Sequence, residues 1–199
     1  MAELQTDESL NAGVAEAVTR GIDALLNQQD PDGFWRDYRL PVGESDQWVT
    51  AFVGLGLATA ADRLQHDQCR LAARRALFVL RRNRHPSGGY GFNADVDPDA
   101  DSTATVVQLA RKLNESIDNS EIAFLMSHHN PDGGFSTYVR DDSWGWSHPC
   151  VTAAVGMALG EDLLSDLRVS LVNYLRRTRL PDGSWPSFWW TTPAYATWY

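Results

Sequence analysis

QQDPDGFW (28–35), HPSGGYGF (85–92), HNPDGGFS (129–136) and RLPDGSWP (179–186) are four versions of one turn. Aligning Gly33, Gly88, Gly133 and Gly183 gives spacings of 55, 45 and 50 residues. Two residues after each glycine stands a large aromatic: Trp35, Tyr90, Phe135 and Trp185. A second series trails each glycine by 14 to 19 residues: Thr50, Thr103, Thr152 and Thr197, the first three followed by Ala and the last by Trp198. Two series in phase mark an internal repeat. Pro-Asp-Gly and its variants are turn chemistry, because Pro presets φ and Gly admits positive φ.

The segments on either side of each turn differ in kind. Residues 12–28, 66–84, 118–128 and 161–178 carry apolar side chains at three- and four-residue steps, with charge on the other face, as amphipathic helices do. Residues 46–61, 102–114, 148–160 and 192–199 are smaller and more apolar throughout. The alternation predicts about four helical hairpins in two shells, charged helices outside and small-residue helices inside, packed as one all-α domain over residues 1–199. Asp46, Ser102 and Ser147 stand near the inner-helix starts, where short polar side chains cap free N–H groups.

Composition narrows the function. A net charge of −9 over 199 residues disfavours nucleic acid as a partner. Cys69 and Cys150 are far apart and in no CxxC pair, so neither a disulfide framework nor a zinc site is expected. The acidic start MAELQTDESLNAG is no secretory signal, and no stretch reaches the roughly 18 apolar residues of a membrane span. These features predict a cytoplasmic protein, either free or membrane-associated. DVDPDADSTATV (95–106) invites a calcium-loop reading, but Ala100 and Val106 stand where such a loop needs Gly and Glu. His128-His129 reads as a helix end satisfying its own carbonyls, and the Arg-rich 70–84 as a solvated face.

GGYGFNADVDPDADSTA (88–104) resembles the acid-bearing segment of class II terpene cyclases of the squalene–hopene and oxidosqualene cyclase group, where a Gly-Gly-aromatic turn leads into Asp-x-Asp-Asp-Thr-Ala. DGGFSTY (132–138), PCVTAAV (149–155), DGSWPSFWW (182–190) and Tyr195-Ala196-Thr197 resemble, in order, later blocks of the same group. The turns at 29–35 and 179–185 fit its QW repeat, which makes Trp35 and Trp185 staples. The resemblance implies an α/α toroid, with a cavity reached from the inner-helix N-termini and no cofactor or metal. It places the proton donor at Asp101, with Asp99 as the motif's first aspartate. Ser102 replaces the third carboxylate, and Ala154 replaces the histidine that holds the acid in hopene cyclases, for which His148 or Cys150 is the nearest substitute. Such toroids have about six hairpins. With about four, this chain is either truncated, a smaller ring, or completed by a second copy or another chain.

The chemistry implied is protonation of an apolar isoprenoid polyene. That needs a carboxylic acid kept neutral in a dry site, which clustered carboxylates favour by mutual repulsion. Asp95, Asp97, Asp99 and Asp101 offer such crowding. The cation then needs aromatic faces, for which Trp48, Phe92, Trp144, Trp146, Trp189, Trp190 and Tyr195 are candidates, with Ser102 and His148 beside them. A substrate diphosphate would call on Arg36, Arg39 or Arg140. Two other readings stay open: a non-catalytic toroid binding a ligand or partner, and another α/α-toroid enzyme such as a glycoside-active one.

Overall fold

The computed structural model describes the backbone of residues 2–164 and 167–199. Helices α1 (Ala2–Asn27), α3 (Asp67–Arg82), α5 (Asn119–Met126) and α7 (Arg168–Thr178) alternate with α2 (Gln47–Leu64), α4 (Ala100–Lys112), α6 (Pro149–Leu164) and α8 (Ala194–Trp198). A two-stranded ribbon, β1 (Arg39–Leu40) and β2 (Gly43–Glu44), decorates the loop before α2. The expected outer stretch 161–178 includes residues 165 and 166, which lie outside the described ones.

Packing sorts the helices as their composition predicts. α2 lies against α4, α4 against α6 and α6 against α8, so the small-residue helices are successive neighbours. α3, α5 and α7 back them from outside, and α1 packs on α3. α4 is buried along its whole length from Ala100 to Ala110, which its run of Ala, Ser, Thr and Val permits. At Gly54 of α2, an added Cβ would meet a Leu109 methyl of α4 at 3.0 Å, so the two helices approach closely there and a larger residue would push Leu109 aside.

The two in-phase series are the two ends of one hydrogen bond. The hydroxyls of Thr50, Thr103, Thr152 and Thr197 accept the backbone N–H of Trp35, Tyr90, Phe135 and Trp185 at 2.8, 2.9, 2.8 and 3.0 Å. Each threonine, the fourth residue of its inner helix, anchors the aromatic that follows the preceding turn. Gly33, Gly88, Gly133 and Gly183 all hold φ between 88° and 97°, and each donates its N–H to the carbonyl three residues earlier at 2.8–2.9 Å. The staples follow from the same frame. The indoles of Trp35 and Trp185 donate to Leu25 and Leu175 of the preceding outer helices at 2.8 and 2.7 Å. Gln29 reaches across to the Ala72 carbonyl of the next outer helix at 3.1 Å.

Three local expectations are corrected. Asp46 makes no side-chain cap hydrogen bond, Ser147 donates to Asp132 instead, and Ser102 lies inside α4, whose cap is Asp99. Asp99 is in extended conformation and bridges Tyr90, so the chain turns helical only after it. The Arg-rich face of α3 is also more than solvated: Arg75 reaches the Pro31 carbonyl and Arg81 that of Ser116, tying neighbouring repeats together. His128 does bond the Phe124 carbonyl in the last turn of α5, at 2.8 Å. Cys69 and Cys150 are buried free thiols in separate core clusters. No described helix is long and apolar enough to cross a membrane.

Candidate active site

Asp99 and Asp101 enter α4 from the extended stretch that bridges Tyr90, and the first N–H of the helix, at Ala100, donates to the Thr137 carbonyl of the next turn at 3.0 Å. The acid segment is thereby clamped between two repeats. Asp99 accepts from the Ser102 N–H at 2.7 Å and from the Ser102 hydroxyl at 2.8 Å. Asp101 takes no part in capping. It faces the Tyr195 hydroxyl of α8, which lies 3.3 and 3.5 Å from its two oxygens.

Asp99 and Asp101 are only 5% and 6% exposed, and no ion pair reaches either among the described residues. Burial disfavours their charged forms. It lifts Asp101 to about 6, against the Tyr195 hydrogen bond that lowers it, and lifts Asp99 to about 7 with help from the Asp101 charge. Asp95 and Asp97 stay exposed on the loop. Just ahead of them, the Asn93 amide donates to the Val42 and Glu44 carbonyls and ties the loop to the ribbon.

Tyr195, the partner of Asp101, belongs to a closed circuit of aromatic rings. Trp48 stacks on Phe52 at 5.3 Å, Phe52 meets Trp198 at 6.4 Å, and Trp198 meets Tyr199 at 5.1 Å. Tyr199 meets Tyr195 at 5.3 Å, Tyr195 meets Trp190 at 5.4 Å, and Trp190 returns to Trp48 at 5.8 Å. The circuit joins the first inner helix to the last, and Tyr195 links it to Asp101.

The other residues picked from sequence lie elsewhere. Trp144 and Trp189 form a second cluster with Tyr138 and Phe188. His148 stacks on Phe188 at 3.8 Å and bonds the Ser143 carbonyl, so it does not hold the acid. Cys150 is fully buried, its thiol pushed up by burial and in part by the Asp101 charge. Phe92 contacts Tyr38 at 5.7 Å, Trp146 is 66% exposed, and Ser102 serves Asp99. A cavity of about 650 Å³ opens between α5 and the loops at 85–98 and 138–144, with Asp97, Tyr138 and Trp144 in its wall rather than Asp101. Arg36 is engaged by Asp30 and Asp32, and Arg140 by Asp142 and the Trp144 face. Among the described residues, no three His, Cys, Asp or Glu gather to hold a metal ion.

Sequence reasoning missed Phe52, Trp198 and Tyr199. Phe52 stands four residues after Trp48 on the same face of α2, and Tyr199 stands four residues after Tyr195, just past the end of α8. That spacing could have found them. It also missed that Tyr195 binds the acid, a contact across 94 residues of chain that no local pattern carries.

No protein-family profile matches the chain. It is 36% identical over 120 residues to drimenyl diphosphate synthase of Streptomyces showdoensis, a match covering 56% of this chain and 21% of that one. To drimenyl diphosphate synthase of Streptantibioticus cattleyicolor it is 31% identical over 188 residues, 87% of this chain and 34% of that one. The chain thus spans about a fifth to a third of the length of these relatives. Among solved structures, the type II terpene cyclase MstE from Scytonema, an Asp-to-Asn variant with the substrate geranylgeranyl dihydroxybenzoate, superposes with a TM-score of 0.76. That match is 30% identical and covers 90% of this chain and 55% of that one. A protein from Actinoplanes gives a TM-score of 0.81 at 36% identity, over 92% and 57%. Likeness in sequence and in α/α toroid-like fold agree, and the chain belongs to the class II terpene cyclase-like family.

Proposed function

We propose that residues 1–199 act as one α/α-toroid domain that starts a class II terpene cyclisation, with Asp101 as the acid. Its carboxylic O–H breaks as a new C–H bond forms at an alkene carbon of an acyclic isoprenoid. The π electrons of that alkene supply the pair, leaving a carbocation at the other carbon. Successive alkenes attack in turn, each forming a ring C–C bond and moving the charge along the chain. Loss of a proton at the end gives an isomer of the substrate, so no cofactor enters the balance. The observation that carries this reading is a buried carboxyl, its pKa raised by that burial, joined through Tyr195 to a closed circuit of six aromatic rings. Electron-rich ring faces stabilise a passing cation where a lone pair would trap it. Asp99, one turn-start away, adds the carboxylate whose repulsion favours a proton on the pair.

The relatives support the substrate class. MstE binds geranylgeranyl dihydroxybenzoate, and the two curated relatives are named for a cyclised prenyl diphosphate. An apolar polyprenyl chain is the shared element, and it matches the aromatic wall here. The test is product analysis by mass spectrometry after incubation with geranylgeranyl dihydroxybenzoate and with an acyclic sesquiterpenoid diphosphate. A cyclic isomer from either, absent with Asp101→Asn, is the expected result. Undiminished cyclisation by Asp101→Asn removes Asp101 from the reaction. Binding of both compounds without turnover by the wild type favours a ligand-binding toroid instead.

A further inference from the structure

The fourth residue after each turn glycine is Asp37, Phe92, Thr137 or Ser187. In two of the repeats its carbonyl accepts the N–H at the start of the preceding inner helix. Phe92 accepts from Asp46 at 3.3 Å, and Thr137 accepts from Ala100 at 3.0 Å. The link is therefore a feature of the repeat, and what differs is its support. Phe92 has no polar side chain to be held, whereas the Thr137 hydroxyl accepts the Trp189 indole N–H at 3.1 Å. Thr137 is 1% exposed and Trp189 is 41% exposed, so a surface tryptophan spends its one donor on a buried hydroxyl. The indole is itself braced in edge-to-face contact with Trp144 and Phe188, at centroid distances of 5.5 and 5.0 Å. Its neighbour Trp190 turns instead to Trp48 and Tyr195 in the aromatic circuit.

We propose that Thr137, held by Trp189, is a positioning residue that aims Asp101 through the Ala100 peptide. This rests on the acid role assigned to Asp101 above. A helix leaves its first N–H groups without partners of its own. In α4 the Ser102 N–H goes to the Asp99 carboxylate and the Thr103 N–H to the Asp99 carbonyl, both within the segment. The Ala100 N–H, between the two aspartates, instead reaches another repeat. Peptide units are planar, so fixing this one fixes the direction in which the next side chain, that of Asp101, leaves the backbone. The tolerance is narrow. The Tyr195 hydroxyl lies 3.3 and 3.5 Å from the two acid oxygens, at the edge of hydrogen-bond distance. A small tilt of the first turn breaks that contact and turns the acid away from the alkene it must meet. Among the described residues the Thr137 side chain makes no other hydrogen bond, so removing the indole N–H frees it and loosens the carbonyl beside it.

The link is tested first without substrate, by amide hydrogen exchange of Ala100 followed by NMR. Trp189→Phe keeps an aromatic ring against Trp144 and Phe188 but removes the N–H. Thr137→Val keeps the shape and the carbonyl but removes the hydroxyl. Each should speed Ala100 exchange about fivefold, the equivalent of one ordinary hydrogen bond, while the Trp35 amide two repeats away keeps its wild-type rate. Thr137→Ser, which keeps the hydroxyl, should restore wild-type exchange.

In turnover, Trp189→Phe and Thr137→Val should each lower kcat about tenfold with KM unchanged, a fraction of the hundredfold that an ångström of misplacement costs. The double variant should cost no more than either single one, because both remove the same bond. The ratio of products should stay that of the wild type, since the acid acts before any cation exists. An Ala100 rate unchanged by Thr137→Val, additive losses in kcat, or an altered product ratio overturns the proposal. Should Trp189→Phe fail to fold, Thr137→Val and its rescue by Thr137→Ser still decide. If Ala100 exchange responds as expected but Asp101→Asn still cyclises, the acid assignment fails while the link between the repeats stands.

Discussion

Replacing Asp101 by Asn should stabilise the protein at alkaline pH while ending its catalysis. The folded protein raises this carboxyl from 3.8 to about 6, mainly by burial. A group raised in this way favours folding fully only below its unfolded value, and that contribution is lost as pH rises through the folded one. Ionised above that point, Asp101 sits at a cost that Asn does not carry. A little over two pH units at about 1.36 kcal/mol each gives roughly 3 kcal/mol at pH 8, falling to a few tenths near pH 4. Asn keeps the shape and an acceptor oxygen for Tyr195, so packing is unchanged to first order. Urea unfolding followed by circular dichroism at both pH values measures the difference. An Asn variant that is less stable than wild type at pH 8, or a gain that does not shrink toward pH 4, refutes the claim that a buried carboxyl is held against its preferred charge.

Tyr195→Phe removes a donor that lies at the limit of hydrogen-bond distance, so turnover should fall by less than about tenfold. Because that donor lowers Asp101, the falling limb of the pH–rate profile should move upward in the variant. Thr152→Val keeps the side-chain shape but leaves the Phe135 N–H without its 2.8 Å partner in a fully buried place; thermal unfolding should report a loss of about 1–3 kcal/mol. Trp190→Ala opens the aromatic circuit between Trp48 and Tyr195, and product analysis should show a larger share of hydrated alcohols as water reaches the cation.

The architecture was readable because its information is local and repeated. Each turn sets its own glycine φ, and the spacing from turn glycine to threonine is the length of chain needed to bring a hydroxyl back to a backbone N–H. Small side chains over 102–114 announced a helix buried on every side. Helix starts were less readable: Asp46 and Ser147 have the right chemistry for caps, yet one makes no cap bond and the other serves a neighbouring turn. The motif pointed to Asp99 and Asp101, which are both buried, while their surroundings were not legible. Tyr195 and Trp190 reach Asp101 and Trp48 from the far end of the chain, and His148, placed by motif order near the acid, is drawn off by Phe188 and the Ser143 carbonyl. Such contacts depend on how the inner helices come together, a property of the assembled shell rather than of any one repeat.

The most direct measurement is cyclisation in deuterium oxide. Asp101 exchanges its proton with solvent before each turnover, so the cyclic product should carry one deuterium at the carbon that was protonated, and Asp101→Asn should yield no labelled cyclic product. Labelled product formed at the wild-type rate by Asp101→Asn, or wild-type cyclisation without deuterium at that carbon, contradicts the account.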